Sequence, residues 1–183
     1  MLFRSCPRVF YIYYQLSVTI VDITQDTQSL NADDYKQFSL KSSNGDNLGL
    51  EGIAWGPNIG LFVANEKSLA EVIHILLTLF NGMAQNAKHY GHILPRYYKN
   101  LPLNDISGLL FAEQTQQLLV LSDESRQLLS LDDDGTIQSQ FDFDPWLFGI
   151  GRVIEQPQGV TMDKQGHIYI VGEPNIFLVI APH

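Results

Sequence analysis

Oxygen-bearing side chains recur at matched places along this chain. Glu51, Ser107 and Gln158 each stand immediately before a glycine: Gly52, Gly108 and Gly159. Glu66, Asp123 and Glu173 each follow a short apolar run, and Asp105 lies just ahead of Ser107. Carboxylate, amide and hydroxyl oxygens are the donors that a hard cation takes, and acids at strand ends also cap turns and face water. Other groupings are less complete. His89 and His92 are spaced for a metal pair but have no third ligand nearby in sequence. Asp132-Asp133-Asp134-Gly135 starts like a calcium loop, but with Gly135 in the sixth place the twelfth is Phe141 rather than a bidentate glutamate, so it reads as a hairpin turn. Ser122-Asp123-Glu124-Ser125 offers hydroxyls without a Gly-x-Ser-x-Gly elbow, and no phosphate loop or dinucleotide fingerprint is present. No residue is assigned a catalytic role.

Those residues sit in a chain of 183 residues with 11 Lys plus Arg against 20 Asp plus Glu, a formal charge of −9. That balance argues against a nucleic-acid binder, which needs clustered cations, and Tyr11, Tyr13, Tyr14, Tyr97 and Tyr98 then read as sheet-face packing rather than a stacking platform. Hydrophobic residues at 45% are enough for a packed core. The single cysteine, Cys6, rules out an internal disulfide framework and a cysteine-based zinc site. The run from Val9 to Ile23 is interrupted by Tyr, Gln, Ser, Thr and Asp, so it does not read as a membrane span. Residues 1–17 are expected to be irregular or a misread start, and 18–183 to form the folded domain.

The positioning elements are repeats. Glu51-Gly52-Ile53-Ala54-Trp55, Ser107-Gly108-Leu109-Leu110-Phe111 and Gln158-Gly159-Val160-Thr161-Met162 match one another, each followed by a turn, a strand-like run and an acid. The glycines are 56 and 51 residues apart. Between the runs stand Pro57-Asn58, Gln114-Thr115, Asp134-Gly135 and Gln165-Gly166, breaks of hairpin type. Glu71–Ile75, Gln127–Leu131 and Ile176–Ile180 supply third strands, and Thr136–Phe141 an outer one. A four-stranded antiparallel sheet repeated at such a period is a propeller blade. The glycine suits a crowded inner strand. Leu69–Ala87 has near-helical apolar spacing; the repeat register instead makes Glu71–Ile75 a strand and Leu77–Asn104 a long insertion that holds at most a short helix. His74 and His167 fall in strand-like runs, as satisfied or solvent-facing histidines.

The fold class expected is therefore all-β, a partial β-propeller of about three four-stranded antiparallel blades. Gly49-Leu50-Glu51-Gly52-Ile53-Ala54-Trp55, Asp105-Ile106-Ser107-Gly108-Leu109, Leu119-Val120-Leu121-Ser122-Asp123-Glu124-Ser125 and Gln158-Gly159-Val160 with Ile168-Tyr169-Ile170-Val171-Gly172-Glu173-Pro174-Asn175 together resemble the SdiA-regulated (YjiK-like) bacterial family. The likeness covers about Val18 to Ile180. It implies an NHL-like propeller, usually longer than this chain, on the periplasmic face of the inner membrane behind an N-terminal anchor. It also implies bound calcium, whose ligands here would be Glu51, Glu66, Asp105, Asp123, Gln158 and Glu173, with Glu51 first. One departure bears on that site: Gln158 stands where the family motif has Glu, which keeps a carbonyl oxygen and loses the charge.

Three and a fraction blades do not close a ring, so exposed blade edges are expected to pair with another protein or a second copy. The function expected is a non-enzymatic binding or scaffold module. A calcium-dependent hydrolase and a truncated gene product without function are the other readings. Neither nucleic acid nor membrane is an expected partner, except through a missing N-terminal anchor.

Overall fold

In the computed structural model the described residues are 8–13, 17–22, 28–29, 37–39, 50–57, 59–65, 70–79, 90–143 and 156–182. They contain fourteen strands and no helix. The chain divides into a smaller unit, Met1–Gly49 with Leu77–Ile93, and a larger one, Leu50–Leu76 with Leu94–His183.

The smaller unit holds β1 (Arg8–Tyr13), β2 (Ser17–Asp22) and β3 (Gln37–Ser39), an antiparallel meander in the order β1-β2-β3. β1 lies within the stretch expected to be irregular. Its run Val9-Phe10-Tyr11-Ile12-Tyr13 is β-branched and aromatic, and pairing with β2 from Arg8↔Asp22 to Tyr13↔Ser17 gives those residues a ladder.

The larger unit is built from three sheets. The first is β4 (Leu50–Gly56), β5 (Gly60–Asn65), β6 (Glu71–Leu79) and β7 (Tyr90–Tyr98), in the order β4-β5-β6-β7. The unit boundary falls inside β6 and β7. β7 corrects the expectation of a long insertion over Leu77–Asn104 with at most a short helix: part of it is the sheet's outer strand. Pro95 hid it, since proline weakens a strand reading, yet an edge strand tolerates proline because its outward N–H is not needed.

The second sheet is β8 (Gly108–Ala112), β9 (Gln117–Ser122), β10 (Gln127–Leu131) and β11 (Ile137–Asp142), in sequential order. The third is β12 (Pro157–Met162), β13 (Ile168–Gly172) and β14 (Ile176–Ile180), one strand short of the expected four among the described residues.

Two apolar layers hold these sheets together. The first joins Phe62, Val72 and Tyr98 to Leu109, Phe111, Leu118, Val120, Leu129 and Leu131. The second joins Ala112, Leu119, Leu121, Leu128 and Phe143 to Val160, Met162, Ile168, Ile170, Leu178 and Ile180. β9 therefore feeds alternate residues to opposite layers and is apolar from Leu118 to Leu121, as a strand buried on both faces is expected to be. Full burial of one such leucine is worth roughly 1.5–3 kcal/mol relative to exposure.

One turn design is used twice. Between β10 and β11, Asp132 N donates to Thr136 O at 3.0 Å and Gly135 N donates to Asp132 O at 3.2 Å. Between β12 and β13, Asp163 N donates to His167 O at 3.0 Å and Gly166 N donates to Asp163 O at 3.2 Å. The Asp132 and Asp163 carboxylates each accept backbone N–H groups two and four residues on. The glycines have φ 89° and 87°, a region that side chains disfavour. Burial works against ionisation of Asp163, but hydrogen bonds from Tyr169, the His167 backbone and ring, and the Gln165 backbone hold its carboxyl down to about 2. His167, expected to be satisfied or exposed, is satisfied by Asp163 at 2.9 Å.

Candidate functional site at the inner strand ends

The repeat glycine opposes the same place in each sheet: Gly52 faces Ala64, Gly108 faces Leu121 and Gly159 faces Val171. Close approach explains the glycine at position 52. A methyl on Gly52 would lie 3.1 Å from Leu109 Cγ and 3.4 Å from Leu109 N, so the neighbouring inner strand has no room for it.

The residue before each glycine is a bulge. The register shifts between Leu50 and Gly52 and again between Pro157 and Gly159, which leaves Glu51 and Gln158 outside the regular ladder. Ser107 behaves alike: its N–H donates at 2.8 Å to Leu121 O, on the residue that Gly108 already opposes. The Ser107 hydroxyl then crosses to the next sheet and donates to Pro157 O at 2.6 Å. Gln158 O lies 3.6 Å from where a Gly108 Cβ would be. The matched positions thus occupy matched places, and two of them meet at one seam.

The acids behind them divide. Asp105 Oδ1 accepts from the Ser122 hydroxyl and, at 2.9 Å, from Glu124 N. Ser122 is fully buried, so the carboxylate satisfies a hydroxyl that water does not reach. Burial, then the nearby Asp105 charge, push the Asp123 carboxyl up; Arg126 and a hydrogen bond from the Gln156 backbone oppose the rise. Gln156, at φ 48°, also accepts the Glu173 N–H at 3.1 Å. Asp123 and Glu173 are therefore strung along one strand-entry residue. Sequence reasoning passed over Gln156, which has no motif, and noted the Ser122 hydroxyl without giving it a partner.

Glu51, Gln158 and the side chain of Glu173 are exposed. Glu66 and His89 lie outside the described residues, and of His92 only its backbone place in β7 is described. Among the described residues no group of three or more His, Cys, Asp or Glu is gathered to hold a metal ion. Among the described residues two amide oxygens, Asn65 Oδ1 and Gln127 Oε1, are buried without a hydrogen-bond partner; Asn65 ends β5 as Ser122 ends β9.

A second polar cluster lies between the first two sheets. His74 is 2% exposed and stacks on Phe62 with ring centroids 4.3 Å apart. Its Nδ1 is 3.0 Å from the Tyr98 hydroxyl and its Nε2 is 3.2 Å from Ile59 O. Tyr98 also donates to Asp133 O at 2.8 Å. A neutral imidazole and a phenol bring two protons to these three contacts, and an imidazolium would bring three. Burial lowers the His74 pKa and favours the neutral ring, while it pushes Tyr98 up to about 12. His74 is thus a core histidine with a polar neighbour within hydrogen-bond distance of each ring nitrogen. Tyr98 does more than pack, since its hydroxyl reaches the next sheet.

A family model described as SdiA-regulated matches residues 14–181. Among solved structures, virginiamycin B lyase from Staphylococcus aureus superposes with a TM-score of 0.58 at 12% identity, over 95% of this chain and 52% of that one. A protein of unknown function from Bacteroides caccae gives 0.54 at 9% identity, over 96% and 57%. A gluconolactonase from Xanthomonas campestris gives 0.53 at 12% identity, over 94% and 56%. The chain spans about half the length of these structures. At such identities they share its fold, the β-propeller, of which the sheets described here form part.

Proposed function

From the premise that the chain belongs to the SdiA-regulated family, we propose that it is a non-enzymatic binding or scaffold module of propeller type, steadied by calcium at its inner strand ends. The observation that carries this reading is how the polar side chains there are used. Asp105 holds Ser122 and the Glu124 backbone, Ser107 bridges to Pro157, and Asp123 engages Gln156. Groups spent on joining strands and sheets make a rigid platform, which is what a binding scaffold needs.

The calcium part rests on charge. Asp105 and Asp123 lie close enough that one carboxylate disfavours ionisation of the other, and a divalent cation relieves such repulsion. The donor set fits calcium in part: two carboxylates supply charge, and amide and carbonyl oxygens must supply the remainder. Exposed Gln158 and Glu51 offer further oxygens at the matched bulges. By family resemblance the module works on the periplasmic face of the inner membrane.

Thermal melts test the cation. Calcium at about a hundred times its dissociation constant should stabilise the fold by about 2.7 kcal/mol. Magnesium should do less, and the Asp105→Asn, Asp123→Asn double variant should lose the gain. A melting curve indifferent to calcium and to chelator removes calcium and leaves the scaffold reading. Turnover of a lactone or ester that is lost in the same variant would replace that reading with a hydrolase.

A further inference from the structure

Turns of the first two sheets enclose an open cleft of about 410 Å³. Ile59 comes from the β4–β5 turn, Thr115, Gln116 and Gln117 from the β8–β9 turn, and Asp132, Asp133 and Gln138 from around the β10–β11 turn. The cleft lies at the opposite strand ends from Asp105: Gln117 begins β9, and Ser122, which Asp105 holds, ends it.

Two walls of the cleft are pinned from within. His74 Nε2 lies 3.2 Å from Ile59 O, and the Tyr98 hydroxyl donates at 2.8 Å to Asp133 O. Both side chains are buried, and the Tyr98 ring packs against Gly135 in the same turn as Asp133. The next sheet uses the matching position differently. Gly52 faces Ala64 and Gly108 faces Leu121, so Phe62 corresponds to Leu119; their partners across the ladder are His74 and Ser130. The Ser130 hydroxyl is 2.7 Å from that of Ser139, within its own sheet. A place that a serine fills in one sheet is thus given to an imidazole in the other, where it reaches the cleft wall.

The lining keeps both donors and acceptors to spare. Asp132 is supplied by the Asp134 and Thr136 N–H groups and by Gln138 Nε2. Gln116 Nε2 donates to Glu113 O. The Asp133 carboxylate, the Thr115 hydroxyl and the Gln117 amide have no hydrogen bond among the described residues. An ammonium group can only donate and a carboxylate can only accept, whereas a hydroxyl does both. Two carboxylates, with no lysine or arginine among the described lining residues, disfavour an anion. One apolar side chain, Ile59, and no aromatic ring disfavour a flat apolar ligand.

We propose that this cleft binds a neutral saccharide unit, whose hydroxyl groups give hydrogen bonds to Asp133 and accept them from Gln117 and Thr115. The site is open and its ligand small, so the dissociation constant is on the order of 1–10 mM. The cleft shares no residue with the inner strand ends, so its test stands apart from the calcium reading.

Amide NMR spectra of the full chain are titrated with glucose, galactose or mannose from about 0.1 to about 100 mM, a range that brackets that constant. At least one sugar should shift Thr115, Gln116, Gln117, Asp132, Asp133 and Gln138 and saturate. Asp133→Ala should weaken binding at least about fivefold, and Gln117→Ala about threefold. Asp133 is exposed and Gln117 half-buried, so both variants should melt as the unmodified chain does. Asp133→Asn keeps an acceptor and drops the charge, so a neutral ligand should stay within about threefold. Tyr98 positions Asp133, and Tyr98→Phe, assayed well below its melting transition, should weaken the sugar about two- to fivefold with the same amides responding. Cleft amides unmoved by all three sugars overturn the proposal. So does a response that survives Asp133→Ala and Gln117→Ala together, or tighter binding of glucuronate or ethylammonium than of any sugar, which would make the cleft a site for ions.

Discussion

The β8–β11 and β12–β14 sheets carry apolar residues at the same positions and bury them to different degrees. Leu109, Phe111, Leu118, Val120, Leu129 and Leu131 on one correspond by register to Val160, Met162, Ile168, Ile170, Leu178 and Ile180 on the other. In the first sheet all six are buried, and so are Leu119, Leu121 and Leu128 behind them. In the second, Ile170 alone of the six is fully buried, and the opposite face shows Val171, Phe177 and Val179 to solvent. Equal hydrophobicity therefore does not mean equal burial. A blade's sequence supplies two apolar faces, and its neighbours decide how much each contributes.

Paired substitutions turn that contrast into measurements. Leu129→Ala removes a side chain with no exposure and should cost about 2–5 kcal/mol in chemical denaturation. Leu178→Ala at the matching, half-exposed place should cost only about 1 kcal/mol. Equal losses would mean that the third sheet is as well covered as the second. The two matching turns give the next test. Gly135→Ala and Gly166→Ala each meet a left-handed backbone, worth about 1–2 kcal/mol. Only at Gly135 does the new methyl also strike a ring, 2.7 Å from Tyr98, whereas at Gly166 the nearest atom is 3.7 Å away on Pro182. Gly135→Ala should be the worse of the pair in thermal melts.

Smaller effects follow at the polar seams. Asp105→Ala strands the buried Ser122 hydroxyl and should cost about 1–3 kcal/mol. His74, whose folded pKa lies below its ordinary 6.5, binds its proton less readily in the native state than in the unfolded one. Stability should be level above 6.5 and fall as pH drops from there toward the folded value. His74→Phe should flatten that slope; an unchanged slope would assign it to another group. Smallest of all, Phe177→Ser on the open face should change dilute stability by no more than about 0.5 kcal/mol.

The repeats were legible because each carries its own punctuation. Gln127–Leu131 and Ile176–Ile180 were expected as strands with the ends they have, and the glycine-led inner strands fell in place. β7 was not legible, because it lies inside the stretch read as a long insertion and carries Pro95, and its place is set by a pairing made across the sheet. The matched oxygens were legible as a set. Their partners were not, since Asp105–Ser122 and Ser107–Pro157 join residues 17 and 50 positions apart. Contacts of that kind leave no local pattern.

Because residues 51 and 158 sit on bulges, and residue 107 shares its backbone acceptor with Gly108, these positions are partly released from strand pairing. A carboxylate, a hydroxyl and an amide occupy the three, while the glycine behind each opposes the same place on the second strand. The scaffold thus separates what it must keep from what it is free to vary. At residues 51 and 158 the exposed side chain can change with the ladder kept, whereas the hydroxyl at 107 is already committed to Pro157 O of the next sheet.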